Sequence, residues 1–515
     1  MAKAAKAEKE EKKKRRRRAS PQASAAAAEP TKRRSKKSDA KVDLKESVGQ
    51  AFFNPVAMAR ERLNKIERKF DLVSGVLSRD EPRFSTGLIS LDLIINGGLV
   101  AGGWYTVFGG EQSCKSTLAM TLVASILRNN FQGYSAYFDY EGSVQFDYFE
   151  AILKNARVKV SAEEVFGEKD EDGNYTSDPL VYYASPDTGE QFFSSVAELE
   201  RILPDKLCMK GQWYYVYPNT KENQKMLKGQ YDKKYLAKHN KFRVPAPDGS
   251  LQGIILTDSY PAMNPESMDE KEDGDNSLGL QARMFAKQIP RIKTKMKKKR
   301  IVIVGINQLR ENIGVRYGPT EREPCGNALK FNSDCRLRSA KTVVPHGKGY
   351  IEEEQSIKDE GAVDYYAYVK IKTVKNKLGG RPLQEVIMRT RIGDADGEPT
   401  GFCMTWDAWS YLKATGQISG QRDKIKFGEG TPYAGVVFSW LEFKVLIEGS
   451  KSQIKELCAA KKVKAKALRL WLEDQCNKKG ADLAIIAEKR ALEEKKAKKA
   501  KKASKADEDE DDAED

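Results

Sequence analysis

The stretch Gly109-Gly110-Glu111-Gln112-Ser113-Cys114-Lys115-Ser116-Thr117 constrains this chain more than any other. It follows the apolar run Trp104 to Phe108, which predicts a buried strand, and precedes Leu118 to Leu127, a good helix opening. Strand, glycine-containing loop and helix in that order form a phosphate cradle. Backbone N–H groups of the loop and of the helix N-terminus carry partial positive charge and suit phosphate oxygens. Lys115 is placed to reach the outer phosphates of a nucleotide, and the Ser116 hydroxyl to help hold Mg²⁺. One position departs from the pattern G-x-x-x-x-G-K-[ST]: Cys114 stands where the second glycine belongs. An ordinary turn before a helix is therefore the competing reading of these nine residues.

At 515 residues the chain exceeds one typical domain, and 40% apolar residues suffice for a sizeable core. Ninety Lys and Arg against 74 Asp and Glu give a net charge of +16. That favours a polyanionic partner such as nucleic acid, although basic tails alone could produce the sum. Seven cysteines without a C-x-x-C pair, and only two histidines, argue against a zinc site or a disulfide scaffold. A reducing, cytoplasmic setting is expected, since neither a membrane-length apolar run nor the apolar core of a secretory signal is present.

Five segments are expected. Residues 1–48 form a basic low-complexity tail that cannot bury enough surface to order itself, and serve as a nucleic-acid arm, an address or a solubiliser. Residues 49–80 carry apolar positions at helical spacing from Phe52 to Phe70, which suits a docking helix. Residues 81–400 form the core, with insertions near 161–183 and 204–250. A C-terminal domain spans 401–490, with helices at 440–448 and 452–490. A Lys-rich then acidic tail covers 491–515.

Within the core, strands are expected over 135–141, 253–259 and 300–308, with a helix from Ser277 to Lys298 between the last two. Further strands are expected over 365–377 and 383–390. Such alternation indicates an α/β fold with a mostly parallel central sheet, presenting polar residues at the carboxyl ends of its strands. Residues 161–250 read as irregular, apart from a helix from Glu190 to Leu203 and a short strand at Trp213 to Tyr217.

Polar residues occur at those strand ends. Asp258 suits a carboxylate that holds Mg²⁺ through water, and Glu141 suits a group that orients or deprotonates an attacking water. Gln308, neutral and able to donate and accept, suits a sensor of the terminal phosphate. The glycine-punctuated segment after it contains Arg310, Arg316, Arg322 and Tyr317. It suits contact with DNA phosphates and a base, or else is a mobile surface loop.

Taken together, Ser85-Thr86-Gly87 with Ser90-Leu91-Asp92, the P-loop, Asp139-Tyr140-Glu141, Ser185 to Gln191, Asp258-Ser259, Ile306-Asn307-Gln308 and Gly326 to Phe331 resemble, in order, the RecA recombinase family. Val374-Lys375-Asn376-Lys377 continues the likeness, which covers roughly 60–401. The resemblance implies a RecA-type P-loop ATPase core and a DNA-dependent ATPase that uses ATP and Mg²⁺. Such a protein forms helical filaments on single-stranded DNA, pairs it with homologous duplex, and works with single-strand-binding and mediator proteins.

By motif, residues Gly109 to Thr117 and Asp258 would bind the nucleotide, with Ser116 and Asp258 on the metal. Tyr148 would stack on adenine. Glu141, Gln308, Lys115 and, from an adjacent subunit, Lys375 and Lys377 would serve hydrolysis. The 264–279 segment would correspond to the first DNA loop and 310–328 to the second, with Arg283, Arg310, Arg316, Tyr317, Gly326 and Asn327 as DNA-side candidates. The terminal acids resemble an acidic tail that competes with DNA. Cys114, Cys325 and the two insertions depart from the family and suggest a divergent, bacteriophage-encoded member. A DNA-binding filament protein with weak turnover, and a ring-forming motor of the same fold, are the alternatives.

Overall fold

Burial on both faces turns Trp104–Gly109 into the central strand, since every residue of that run is enclosed. The computed structural model describes residues 83–128, 134–209, 211–247, 251–268, 277–311, 321–342, 365–392, 400–421 and 424–475. Nine strands form the main sheet: β1 (Trp104–Gly109), β2 (Tyr134–Asp139), β3 (Tyr182–Ala184), β4 (Gly253–Asp258), β5 (Ile301–Gln308), β6 (Cys335–Thr342), β7 (Tyr365–Asn376), β8 (Glu385–Ile392) and β9 (Gly401–Phe402). Their order is β9-β8-β7-β6-β1-β5-β4-β2-β3. The run from β6 to β3 is parallel, and β7, β8 and β9 add to its edge antiparallel. The expected mixed, mostly parallel sheet is present.

Alternation along each strand divides the core into two layers. Val107, Leu256 and Val304 meet Leu118, Leu122 and Val123 of the P-loop helix Lys115–Arg128. On the other face Trp104, Ile255 and Ile303 meet helices Gly189–Ile202 and Ser277–Lys298 through Phe192, Phe285 and Ile289. Each such side chain contributes about 1.5–3 kcal/mol by leaving water.

Two family-like motifs have structural work within this core. Thr188 caps the helix Gly189–Ile202 in a capping box with Gln191, which explains part of the Ser185 to Gln191 run. Asp92, fully buried, accepts from Ser85 Oγ at 2.6 Å, Thr86 N at 2.8 Å and Thr86 Oγ1 at 2.6 Å. Desolvation raises its pKa to about 7 against the pull of those hydrogen bonds.

The structure differs from the sequence expectation in two places. The described residues between 161 and 247 form further elements: strand β3, a helix Ala162–Phe166, and an antiparallel three-stranded sheet of Asp205–Met209, Gln212–Pro218 and Lys241–Pro245. Helices Lys221–Leu227 and Lys233–His239 join its last two strands and bury no residue, so they carry no apolar stripe for periodicity to reveal. The expected helix over 452–490 is interrupted: Lys451–Ala460 is capped at Lys461, Lys462 beyond it adopts φ 55°, and helix resumes at 468–475.

The basic tail, the Phe52 to Phe70 docking helix, Arg316, Tyr317 and the acidic tail lie outside the described residues. Among the described residues no helix is long and apolar enough to cross a membrane.

Candidate functional site

The carboxyl ends of β1, β5, β4 and β2 lie side by side, with Gln308 opposite Gly109 and Asp139 opposite Asp258. This end of the sheet gathers the P-loop, Glu141, Asp258 and Gln308.

Gly109 is fixed by space: a Cβ there would lie 2.0 Å from the Ser339 carbonyl oxygen on β6. Gly110 faces open space and is exposed. The loop is braced by Ser113, whose hydroxyl donates to Gly110 O at 2.8 Å, while Ser339 Oγ donates to Ser113 O at 2.5 Å. Cys114 adopts φ 57°, the left-handed region that explains why glycine belongs there. Its sulfur lies 3.5 Å from Thr390 Oγ1 on β8 and packs at the edge of the core, and burial raises the thiol pKa. The cysteine side chain thus occupies a core-side niche.

Lys115 Nζ donates to Gly110 O at 2.6 Å and lies 3.4 Å from Ser113 Oγ. Its pKa is lowered by partial burial, against the opposing charges of Asp258 and Glu141. Thr117 Oγ1 and Tyr148 OH are 2.8 Å apart, so Tyr148 is held against the first turn of the P-loop helix.

Asp258 is buried and hydrogen-bonded by Ser116 and, at 3.4 Å, by Tyr137 OH. Burial raises its pKa to about 6; Glu141 and Asp139 add to the rise, and Ser116 and Lys115 oppose it. Glu141 Oε1 accepts from Gln308 Nε2 at 2.7 Å and from the Ser259 hydroxyl. The loop that carries Glu141 is held by buried Asp139, which accepts from Glu141 N at 3.1 Å, Val144 N at 3.1 Å and Tyr183 OH at 3.0 Å.

Asp139 and Ser259 are the contributors to which the sequence assigned no role. The signal was present: an acid two residues before Glu141 at a buried strand end, and a hydroxyl directly after Asp258.

These residues fit a phosphate-bearing ligand with a divalent cation. A lysine, a hydroxyl and a buried carboxylate converge beside a cradle of backbone donors. Among the described residues no cluster of three or more His, Cys, Asp or Glu could cage a metal alone. A cation there would complete its shell with ligand phosphate oxygens and water.

Lys375 and Lys377 are not brought to this end. β7 runs antiparallel, so Asn376 sits opposite Cys335, which itself faces Tyr105 near the start of β1. Four strand residues, about 13 Å, separate that level from Gly109. Lys375 Nζ donates instead to Lys330 O at 2.6 Å and Phe331 O at 3.0 Å.

Beyond Gln308 the chain forms a short ladder, Arg310–Glu311 with Glu321–Arg322, whose base is tied to β6 by Glu321–Arg338 at 2.6 Å and by a Glu323–Arg336 ion pair. Arg310, Gly326 and Asn327 are exposed. Gly326 has φ +69°, and a Cβ there would approach Ala282 Cβ to 2.9 Å. Arg283 and Asn327 line one hollow with Ala282, Ala286, Ala328 and Phe331, the last 72% exposed. The neighbouring Cys325 is buried, which pushes its thiol up to about 12.

Residues 247–394 match the family described as RecA N-terminal domain. The chain is 28% identical over 321 residues to Protein RecA of Rippkaea orientalis, covering 61% of this chain and 68% of that one. It is 26% identical over 384 residues to Protein RecA of Nostoc punctiforme, covering 72% and 83%. Against Protein RecA of Parasynechococcus marenigrum it is 25% identical over 422 residues, covering 79% and 90%. These similarities support a divergent member of the RecA family, and the mostly parallel sheet with a glycine-containing loop after its central strand agrees with them.

Proposed function

We propose that this protein is an ATP-dependent recombinase that assembles on single-stranded DNA as a helical filament and exchanges strands with homologous duplex. The observation that carries the reading is the convergence of Lys115, Ser116, Asp258, Glu141 and Gln308 at the tips of adjacent strands. The loop from Gly110 to Thr117 and Lys115 take the ATP phosphates, Ser116 and Asp258 take Mg²⁺, and Tyr148 borders the base. Glu141 holds the attacking water, and Gln308 couples the terminal phosphate to the segment that begins at Arg310.

Lys375 and Lys377, remote from their own P-loop, serve the nucleotide of the next subunit. A head-to-tail interface of that kind repeats without closing and gives a filament. Arg283, Arg310, Arg316, Tyr317, Gly326 and Asn327 border the DNA path. The alternative of a filament protein with weak turnover drew its support from Cys114, whose sulfur lies against Thr390 instead of in the cradle.

Electron microscopy with ATP and single-stranded DNA, paired with strand exchange on homologous and non-homologous duplex, tests the reading. Helical filaments and homology-dependent exchange are expected. Closed rings, or exchange indifferent to homology, would overturn it.

A further inference from the structure

The insertion spanning residues 204–247 holds ten Lys and Arg against three acids, and residues 1–45 hold seventeen against six. Together they carry all of the net +16, so the rest of the chain lies within two charges of neutral. Within the folded part the insertion is one of two strongly basic segments, beside the helix Ser277–Lys298, which holds seven Lys and Arg and no acid.

That insertion is anchored far from the nucleotide site. Gln252 Nε2 donates to Pro204 O at 2.7 Å and to Lys299 O at 2.8 Å, and Lys299 Nζ donates to Leu203 O at 2.6 Å. Arg300 lies 4.5 Å over the Trp213 ring. Residues 252 and 300 adjoin the amino ends of β4 and β5, whereas the P-loop and Gln308 lie at the carboxyl ends.

On this base the two helices Lys221–Leu227 and Lys233–His239 expose Lys221, Lys225, Lys228, Lys233, Lys234 and Lys238. Glu222 is the one exposed acid beside them, since Asp232 is bonded to Arg243. None of the six lysines is paired with an acid among the described residues. The aromatic side chains around them are already engaged. Arg243 lies over Tyr214 at 4.6 Å and Tyr235 at 4.5 Å, Lys206 over Tyr215 at 5.3 Å, and Tyr231 packs on Phe242 at 4.5 Å.

We propose that this six-lysine face is a second polynucleotide site, one that holds duplex DNA by its phosphate backbone at the opposite end of the sheet from the nucleotide. Phosphate contact by lysine is sequence-independent and needs only charge. A single strand is instead gripped by bases stacked on open aromatic faces, and the insertion offers none. The duplex backbone is the partner that this chemistry fits.

The test replaces all six lysines by alanine in the full chain and measures duplex binding by fluorescence anisotropy between 50 and 200 mM salt, conditions that resolve phosphate contacts at about 0.9 in log–log slope each. Expected are a slope shallower by roughly two or more and at least about a tenfold loss of duplex affinity at the upper salt. Single-strand-stimulated hydrolysis and thermal midpoint should stay unchanged, because the helices bury nothing. An unchanged duplex slope, or an equal loss on single strands, would overturn the proposal. So would an effect that vanishes when residues 507–515 are removed, since the lysines would then serve the acidic tail. Failure of the recombinase reading would appear separately, as Lys115→Ala with undiminished hydrolysis.

Discussion

Gln308 Nε2 donates to Glu141 Oε1 at 2.7 Å, joining the tips of β5 and β2 across the intervening β4, whose own tip supplies Asp258 and Ser259. One carboxylate is thereby held in common by the strand that leads into the Arg310 segment and by the strand that follows the P-loop helix. Glu141→Gln keeps a hydrogen-bonding side chain but removes the carboxylate that we propose as the base. It should lower DNA-stimulated turnover by about 10²–10⁴ while leaving nucleotide affinity close to wild type. Single-turnover hydrolysis alongside nucleotide titration checks both halves.

Gln308→Ala should separate binding from coupling. Nucleotide affinity should change little, because Gln308 lies beside the P-loop but outside it. The rise in DNA affinity brought by a non-hydrolysable ATP analogue should shrink to near nothing, since the link to Arg310 is lost. DNA titrations with and without the analogue read the difference directly.

Lys115→Ala and Lys375→Ala should each be inactive alone but complement on mixing. If Lys375 acts on the next subunit, a random equimolar filament contains intact sites at about a quarter of its interfaces, the fraction at which both wild-type partners meet. Recovery of hydrolysis near that level supports action in trans. No recovery at any ratio would return Lys375 to its own subunit.

Asp258 predicts a pH dependence of definite sign. Its carboxyl titrates at about 6 in the folded chain, against 3.8 for the free group. The stability linked to this proton is full below about pH 4 and is lost as pH rises through 6. Cation binding needs the ionised form, so Mg²⁺-dependent nucleotide affinity should climb over the same interval. Asp258→Asn should flatten both curves, as followed by thermal unfolding and nucleotide titration from pH 4.5 to 8.

Cys114 offers a test of backbone against packing. Cys114→Gly removes a left-handed penalty of about 1 kcal/mol but also removes a half-buried side chain, so the net change in stability should stay within about 1 kcal/mol. Cys114→Val puts a β-branched residue at φ 57° and should destabilise by more than that. Urea unfolding of the two variants distinguishes them.

Much of the site was legible because its residues announce themselves locally. A strand buried on both faces is a continuous apolar run, so β1, β4 and β5 were visible, and the polar residue at the end of each run marked Asp258 and Gln308. Lys115 and Ser116 follow from a loop whose spacing phosphate geometry dictates. Tertiary structure alone decided which of these residues meet. The Gln308–Glu141 bond depends on strand order, and sheet neighbours are chosen by long-range packing that no local pattern encodes.

The same reason explains the P-loop itself. Gly109 is obligatory because Ser339, 230 positions on, presses its carbonyl against it, and the Cys114 sulfur finds its place beside Thr390, 276 positions on. The antiparallel return of β7 carried Lys375 and Lys377 away from the Gly109 to Thr117 loop. Of the insertion's sheet the sequence showed only the central strand, at Trp213 to Tyr217; its partner strands are half-exposed and its helices stripe-free, and they bury too little to leave a period. The sequence by itself thus determined the strand–loop–helix around Lys115 and the strands beside it, through short-range sterics and burial. Only the tertiary structure decided which groups share one site, because proximity is set by the order in which strands assemble.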